Sequence, residues 1–449
     1  MSKQVNKVFV KSFGCSTNMA DGEFIVGCLL AEGYKIANKM EDADVLVYNT
    51  CAVKTPTENR MIDILKKAPQ TKKVIVTGCL PLINFDRLKR EVRFDGILGP
   101  APGLEIVEMI QRVACNERII SLTSDDKPGL DLTRCFKNAI ISIIPVAYGC
   151  LGACSYCCVV FARGRLRSYS IGEIVHKIKS DVTSGAMEVW LTSQDMACYG
   201  RDMGVTLANL LEEICNIEGA FLVRVGMMTP NYALDILDRL VEAYQHRKVF
   251  KFLHLPVQSG DNNVLKRMQR FYSTQEFSQV ISVFRKAIPN ITIATDVICG
   301  FPGETTEAFE NTIHLIEMVK PDIVNVSKFF PRPNTPAEKL EPKIPSGEIK
   351  RRSKKMSELV KKVALKKNET WINWKGQILI DEKGKNLGSW IGRNFAYKPI
   401  VVKSNESLLG RNVNVHVTKA YQTYLEAEIV TDPRVRKRTK VFHTRKKDW

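Results

Sequence analysis

Residues 140–157 read Ile140-Ile-Ser-Ile-Ile-Pro-Val-Ala-Tyr-Gly-Cys150-Leu-Gly-Ala-Cys154-Ser-Tyr-Cys157. A short β-branched apolar run, Ile140–Val146, predicts a buried strand. The cysteines that follow it have Cys-x3-Cys-x2-Cys spacing. Three thiolates in one short loop can grip three irons of a [4Fe–4S] cluster and leave the fourth iron open to another ligand. Structural thiols need no such pattern.

Downstream, five more candidate strands alternate with helical stretches: Glu188–Thr192, Phe221–Val225, Phe252–Leu255, Ile291–Val297 and Ile323–Val326. The helices between them include Gly172–Ser184, Leu207–Ile217, Leu234–Tyr244, Thr274–Ala287 and Thr306–Met318. Six β/α units fit a partial or closed parallel barrel better than a long flat sheet.

Upstream, residues 1–115 show the same alternation, with strands at Val8–Phe13, Val45–Tyr48 and Val74–Thr77 and helices at Ala20–Ala31 and Pro56–Lys67. A cysteine follows each strand: Phe-Gly-Cys15, Asn-Thr-Cys51 and Thr-Gly-Cys79. Ligands of open parallel sheets bind at the carboxyl edge of the strands. Three thiols 36 and 28 residues apart in sequence can therefore converge. Residues 116–138 read as a linker. Residues 338–370 read as a basic connecting helix. Short strands at Gly376–Asp381, Leu387–Arg393, Pro399–Val402, Val413–Val417 and Tyr424–Val430 predict a small all-β barrel of the oligonucleotide-binding kind.

Of the net charge of +18, residues 350–367 carry +8 and residues 431–449 carry +6. A concentrated basic region is an electrostatic footprint for nucleic acid. Hydrophobic residues at 45% and charged residues at 25% describe a globular chain. No apolar stretch approaches the about 20 residues of a membrane-spanning helix, and Met1–Val5 offers no signal core. The expectation is a soluble cytoplasmic protein with no membrane partner, whose 13 cysteines are thiols or metal ligands rather than disulfides.

With these motifs in place, the chain over about residues 5–430 resembles the radical S-adenosylmethionine methylthiotransferase family. The resemblance rests on Lys11-Ser-Phe-Gly-Cys15, Asn49-Thr-Cys51, Thr77-Gly-Cys79, the Cys150–Cys157 loop, His254-Leu-Pro-Val-Gln-Ser-Gly260, Thr295-Asp-Val-Ile-Cys-Gly-Phe-Pro-Gly-Glu304 and Phe330-Pro-Arg-Pro-Asn-Thr-Pro336. Ala162-Arg-Gly-Arg-Leu-Arg-Ser-Tyr169 resembles the archaeal and eukaryotic branch, which acts on threonylcarbamoyladenosine at position 37 of tRNA. Two departures are Asn334, where the family usually has Gly, and Cys158, an extra thiol read as structural.

The implied fold class is α/β. It comprises an N-terminal parallel-sheet (flavodoxin-like) domain at 1–115, a partial (β/α)6 radical SAM barrel at 139–337, the basic connector at 338–370, a TRAM barrel at 371–430 and a basic tail at 431–449. The resemblance implies two [4Fe–4S] clusters, one on Cys150, Cys154 and Cys157 and one on Cys15, Cys51 and Cys79. It implies S-adenosylmethionine as cofactor, a 5′-deoxyadenosyl radical acting at carbon 2 of the modified adenine, and insertion of a methylthio group there. Partners are then a tRNA substrate, an external electron donor and a sulfur source. Tyr156 is expected against the adenine of the cofactor. Gln194, Asp195, Arg224, Ser259 and Asp296, near strand ends, are candidates for its methionyl or ribose part.

Trp390, Phe395 and Tyr397 are candidates for stacking on bases. Lys350–Lys367 and Arg434–Lys447 are candidates for tRNA phosphates. Cys28, Cys115, Cys135, Cys198, Cys215 and Cys299 are read as structural, and the six histidines show no metal-ligand spacing. Two alternatives stay open: a methylthiotransferase acting on a ribosomal-protein side chain, and a non-catalytic iron–sulfur RNA-binding protein.

Overall fold

The computed structural model describes residues 5–122 and 127–430. The chain forms two compact units, Met1–Val360 and Lys361–Trp449, divided within the helix Ser346–Glu369.

The first unit opens with six strands: β1 (Lys7–Ser12), β2 (Lys35–Ile36), β3 (Val45–Thr50), β4 (Lys73–Gly78), β5 (Gly96–Leu98) and β6 (Ile119–Ser121). They form one parallel sheet in the order β2-β1-β3-β4-β5-β6. All six residues of β3 are buried, because helices cover both faces of a parallel sheet. Alternate residues divide between the two sides. Leu46, Tyr48, Val74 and Val76 pack with Met61, Ile62 and Leu65, while Val45, Val47 and Ile75 pack with Ile25, Leu29, Ile106 and Ile110. β6 corrects the expected linker at 116–138, since its three residues pair with β5 as the outer strand of this sheet. Three residues are too short to signal a strand by periodicity. Residues 123–126, also assigned to that linker, lie outside the described residues.

The rest of this unit carries β7 (Ile141–Pro145), β8 (Ala147–Tyr148), β9 (Arg167–Ser168), β10 (Glu188–Thr192), β11 (Leu222–Val225), β12 (Phe252–His254), β13 (Thr292–Cys299) and β14 (Ile323–Lys328). Two parallel three-stranded sheets result, β11-β10-β7 and β12-β13-β14. An isolated parallel bridge runs from Val223 of β11 to Val249, just before β12. No pairing joins β7 to β14 among the described residues, so the six units make an open, partial barrel. Capping boxes start three of its helices, with Ser170–Glu173, Thr206–Asn209 and Ser273–Glu276 satisfying the first-turn N–H groups.

The basic helix spans Ser346–Glu369, not 338–370. Pro342 and Pro345 lie in the segment before it, where Pro342 cannot continue a helix begun at 338. At Asn334 φ is +64°, a conformation that Gly adopts freely and Asn tolerates, which accounts for Asn at a position where Gly is usual.

The second unit is a closed barrel of β15 (Lys375–Lys383), β16 (Ser389–Arg393), β17 (Pro399–Lys403), β18 (Asn412–Ala420) and β19 (Leu425–Ile429), in the order β15-β16-β17-β19-β18. β17 and β19 are its one parallel pair. Five strands closed by a Greek-key connection are the oligonucleotide-binding arrangement. Ile378, Ile380, Ile400, Val402, Val415, Val417 and Leu425 fill it. No helix among the described residues is long and apolar enough to cross a membrane.

Candidate active site formed by two cysteine triads

The loop holding Cys150, Cys154 and Cys157 is clasped at its base by β8 and β9, where Ala147 faces Ser168 and Tyr148 faces Arg167. Its backbone is held from several sides. Gly149 N donates to Gln194 Oε1 at 2.7 Å, Ser155 N to Met268 O at 3.0 Å and Ala337 N to Ser155 O at 2.8 Å. Cys150 and Cys154 flank Gly152, whose N–H donates to Cys150 Sγ at 3.2 Å. Arg270 Nη1 donates to Cys154 Sγ, also at 3.2 Å. Burial pushes the Cys157 thiol up to about 12, and the neighbouring Cys154 adds to the rise.

The other triad is built by the parallel sheet. Cys15 caps the helix Ser16–Ala31 after β1, Cys51 follows β3, and Cys79 opens the helix Cys79–Ile83 after β4. These three strands are neighbours, so their carboxyl ends stand side by side. The recurring Gly-Cys pair has a steric cause. Gly14 has φ +114°, and a Cβ there would stand 2.8 Å from Cys51 Cβ; Gly78 has φ +91°, and its Cβ would stand 2.3 Å from Thr50 O. Both flanking loops press on the loop that bears Cys51, and only glycine fits. Burial pushes Cys79 up to about 12, partly offset by the positive charge of Arg163, with Cys15 and Cys51 adding repulsion.

The donors suit an iron–sulfur cluster. Soft thiols, three to a site, are the ligands such clusters take. Ligands of a single zinc ion sit about 2.3 Å from the metal and crowd together. Among the described residues, the set of three ligand atoms all within 4.8 Å of one another is Cys150, Asp195 and Cys198, not either triad. Both triads are thus spread more widely than around one ion. Asp195 is already engaged: its oxygens accept from Ala197 N at 3.1 Å, Thr229 N at 3.0 Å, the Thr229 hydroxyl and Cys198 Sγ at 3.3 Å.

The two triads adjoin through Cys158. It is 1% exposed, packs in one apolar cluster with Cys79, and lies close enough to Cys51 to help raise that thiol. Buried and half-buried polar contacts tie the sheet to the partial barrel around them. Arg163 Nη2 pairs with Asp21 Oδ2 at 2.6 Å, Tyr148 OH donates to Asp21 Oδ1 at 2.7 Å, Ser16 and Thr192 hydroxyls meet at 2.7 Å, and Arg332 pairs with Glu58.

The weaker candidates fall in different places. Tyr156 stands edge-on to Phe301, with centroids 6.3 Å apart, and packs against Val264 and Met268. Gln194 braces the cysteine loop through Gly149. Arg224 lies between the rings of Trp190 and Phe252, at 5.0 and 5.3 Å. Ser259 is buried and faces Thr312 of the helix Thr306–Val319, with the hydroxyls 3.5 Å apart. Asp296 joins His254, the last residue of β12, at 3.1 Å and Asn325, its register partner in β14, at 2.7 Å; β13 runs on to Cys299, so Asp296 lies within the strand rather than near its end. No local pattern marks that His254–Asp296 pair, because its members stand 42 positions apart.

Three expectations need correcting. Cys115 and Cys135 are exposed, so they are surface thiols rather than structural ones. Tyr397 is buried beneath Arg393 and unable to stack on a base, whereas Phe395 is 41% exposed beside Trp371 and Trp374. Of the basic helix, Arg351 and Arg352 pair with Glu348, Arg352 also with Glu304, and Lys355 with Glu310. Lys350, Lys354, Lys361, Lys362 and Lys366 remain exposed. Arg434–Lys447 lies outside the described residues.

Family comparisons agree with this architecture. Residues 7–99 match Uncharacterized protein family UPF0004, residues 144–316 the Radical SAM superfamily and residues 377–430 the TRAM domain. The human threonylcarbamoyladenosine tRNA methylthiotransferase is 35% identical over 443 residues, covering 96% of this chain and 75% of the human protein. A Pyrococcus abyssi relative named "Probable threonylcarbamoyladenosine tRNA methylthiotransferase" is 40% identical over 429 residues, covering 95% of this chain and 100% of its own. The chain belongs to the threonylcarbamoyladenosine tRNA methylthiotransferase family. Among solved structures, the radical S-adenosylmethionine methyltransferase TsrM from Kitasatospora setae, with cobalamin and a [4Fe–4S] cluster bound, aligns with a TM-score of 0.53. At 13% identity, covering 74% of each chain, that likeness speaks for the fold this methylthiotransferase family shares with it.

Proposed function

We propose that the protein converts threonylcarbamoyladenosine at position 37 of tRNA to its 2-methylthio derivative. The family membership supports the substrate. The observation that carries the chemistry is the adjacency of the two triads through Cys158. Cys150, Cys154 and Cys157 would hold one [4Fe–4S] cluster, and Cys15, Cys51 and Cys79 the other. With S-adenosylmethionine bound, the first centre would supply radical chemistry, and the protein's task would be orientation and exclusion of water.

Arg270 compensates charge at Cys154, and Gln194 fixes the start of its loop. Tyr156, T-shaped to Phe301, remains our candidate for packing against the adenine. Arg224, set between Trp190 and Phe252, and Asp296, set between His254 and Asn325, remain our candidates for cofactor contacts. Ser259, turned to Thr312, would steady its loop instead. The second unit and the exposed lysines of the helix Ser346–Glu369 would hold tRNA phosphates. An external electron donor and a sulfur source complete the reaction, which a tRNA substrate puts in the cytoplasm.

The test is anaerobic. Reconstituted protein is incubated with S-adenosylmethionine, reductant and tRNA bearing threonylcarbamoyladenosine, and the digested nucleosides are weighed. A methylthio mass gain lost in Cys154→Ala is the expected result. Production of 5′-deoxyadenosine without that gain would move the substrate to another nucleoside or to ribosomal protein. Absence of both would favour a non-catalytic RNA-binding protein.

A further inference from the structure

We propose that Asn18, gripped by Arg163, positions the three thiols of the N-terminal triad. The proposal rests on the reading of that triad as a cluster site. Asn18 is 1% exposed in the first turn of the helix Ser16–Ala31. Its Nδ2 donates to Phe13 O at 2.8 Å and to Thr50 O at 2.9 Å. Those carbonyls immediately precede Gly14-Cys15 and Cys51. Its Oδ1 faces Cys79 Sγ at 3.8 Å and Cys15 Sγ at 4.0 Å. One side-chain amide therefore touches all three ligand-bearing loops.

The same oxygen accepts from Arg163 Nη2 at 2.6 Å. Ligating thiols are thiolates. They then have no S–H to offer Asn18 Oδ1, and a carbonyl oxygen facing two anionic sulfurs is repelled. A cation on that oxygen removes the conflict. Arg163 is 3% exposed and is itself fixed by Asp21, whose other oxygen accepts from Tyr148. Arg163 Nη1 is buried with no hydrogen-bond partner among the described residues. Such a donor is costly to leave unmet, and a thiolate-bound cluster is rich in acceptors. Arg163 stands six residues after Cys157 and so belongs to the barrel, whereas Asn18 belongs to the sheet. The grip makes the geometry of one triad depend on the loop that follows the other.

The experiment compares iron and acid-labile sulfide per chain, with the EPR spectrum of the reduced protein, after anaerobic reconstitution with ferrous iron and sulfide. Full-length wild type, Cys15→Ala/Cys51→Ala/Cys79→Ala, Asn18→Ala and Arg163→Lys are used. Wild type is expected to take about eight irons and the triple variant about four. Asn18→Ala should also fall to about four while still cleaving S-adenosylmethionine at the intact core loop. Arg163→Lys, which keeps its charge against Asp21, should retain iron but show an altered signal and midpoint potential for the second cluster. Eight irons and a wild-type spectrum in Asn18→Ala would overturn the proposal. If Asn18→Ala does not fold, Arg163→Lys decides in the same way: an unchanged second-cluster signal overturns it. Eight irons in the triple cysteine variant would instead overturn the cluster reading of the triad.

Discussion

Arg270 donates from Nη1 to Cys154 Sγ at 3.2 Å, and its Nε is held by Tyr272 OH at 3.0 Å. A hydrogen bond from a cation to a ligand sulfur steadies the ligand and makes a bound cluster easier to reduce. Arg270→Gln is expected to lower S-adenosylmethionine cleavage by about 10–100-fold, the usual effect of removing a group that supports a metal ligand. The midpoint potential of the core cluster should become more negative, and that shift separates an electrostatic role from mere loop packing.

Glu58 and Arg332 form a buried pair between the sheet and the segment after the partial barrel, both less than 5% exposed. Breaking such a pair from one side leaves an uncompensated buried charge and costs about 3–5 kcal/mol. Glu58→Gln should lower the denaturant midpoint accordingly. Glu58→Gln/Arg332→Met should recover part of the loss, because no buried Arg332 charge is then left unpaired and Arg87, the other partner of Glu58, keeps Glu91.

Gly14→Ala and Gly78→Ala should each cost about 1–3 kcal/mol from backbone strain alone, with steric overlap adding to it. Their distinguishing mark is local. Iron bound by the N-terminal triad should fall, while the optical and EPR signature of the Cys150–Cys157 loop is kept.

Within the second unit, burial raises the Asp381 carboxyl to about 6, against the ordinary 3.8, despite the attraction of Arg393. The folded barrel therefore binds this proton more tightly than the unfolded chain does. The associated stabilisation is full below about pH 4 and is lost as pH rises through about 6. At roughly 1.4 kcal/mol per pKa unit it amounts to about 3 kcal/mol at most. Unfolding followed by the fluorescence of Trp371, Trp374 and Trp390 should show this dependence, and Asp381→Asn should flatten it.

Replacing Lys350, Lys354, Lys361, Lys362 and Lys366 by Gln should weaken tRNA binding and shrink its salt dependence. Each lost phosphate contact reduces the slope of log K against log salt by about 0.7–0.9. Replacing Arg352 would test something else, since Glu304 and Glu348 hold it in a buried position.

The six triad cysteines were legible because their signals are local: a spacing within eight residues for one set, and the same place after a strand for the other. The barrel strands were legible for the same reason. The link between Asn18 and Arg163 was not, since they stand 145 positions apart and the Ala162–Tyr169 stretch that holds Arg163 does not point to Asn18. Residues chosen only for lying near strand ends fared unevenly. Asp296 meets a histidine and an asparagine within the strands, Ser259 turns to a helix, and Gln194 serves the backbone of the cysteine loop. Strand-end position sets a residue's neighbourhood, whereas side-chain direction depends on partners distant in sequence.

The hold of Arg163 on Asn18 also has a consequence in time. The thiols at 15, 51 and 79 all leave the ribosome before Arg163 does. During synthesis the sheet can fold, and bring those three sulfurs together, while the guanidinium that anchors Asn18 does not yet exist. A nascent chain halted before residue 163 should thus expose an unguarded trio of thiols, open to stray metals and oxidants. Lasting assembly of the first-made triad must wait for the later-made barrel.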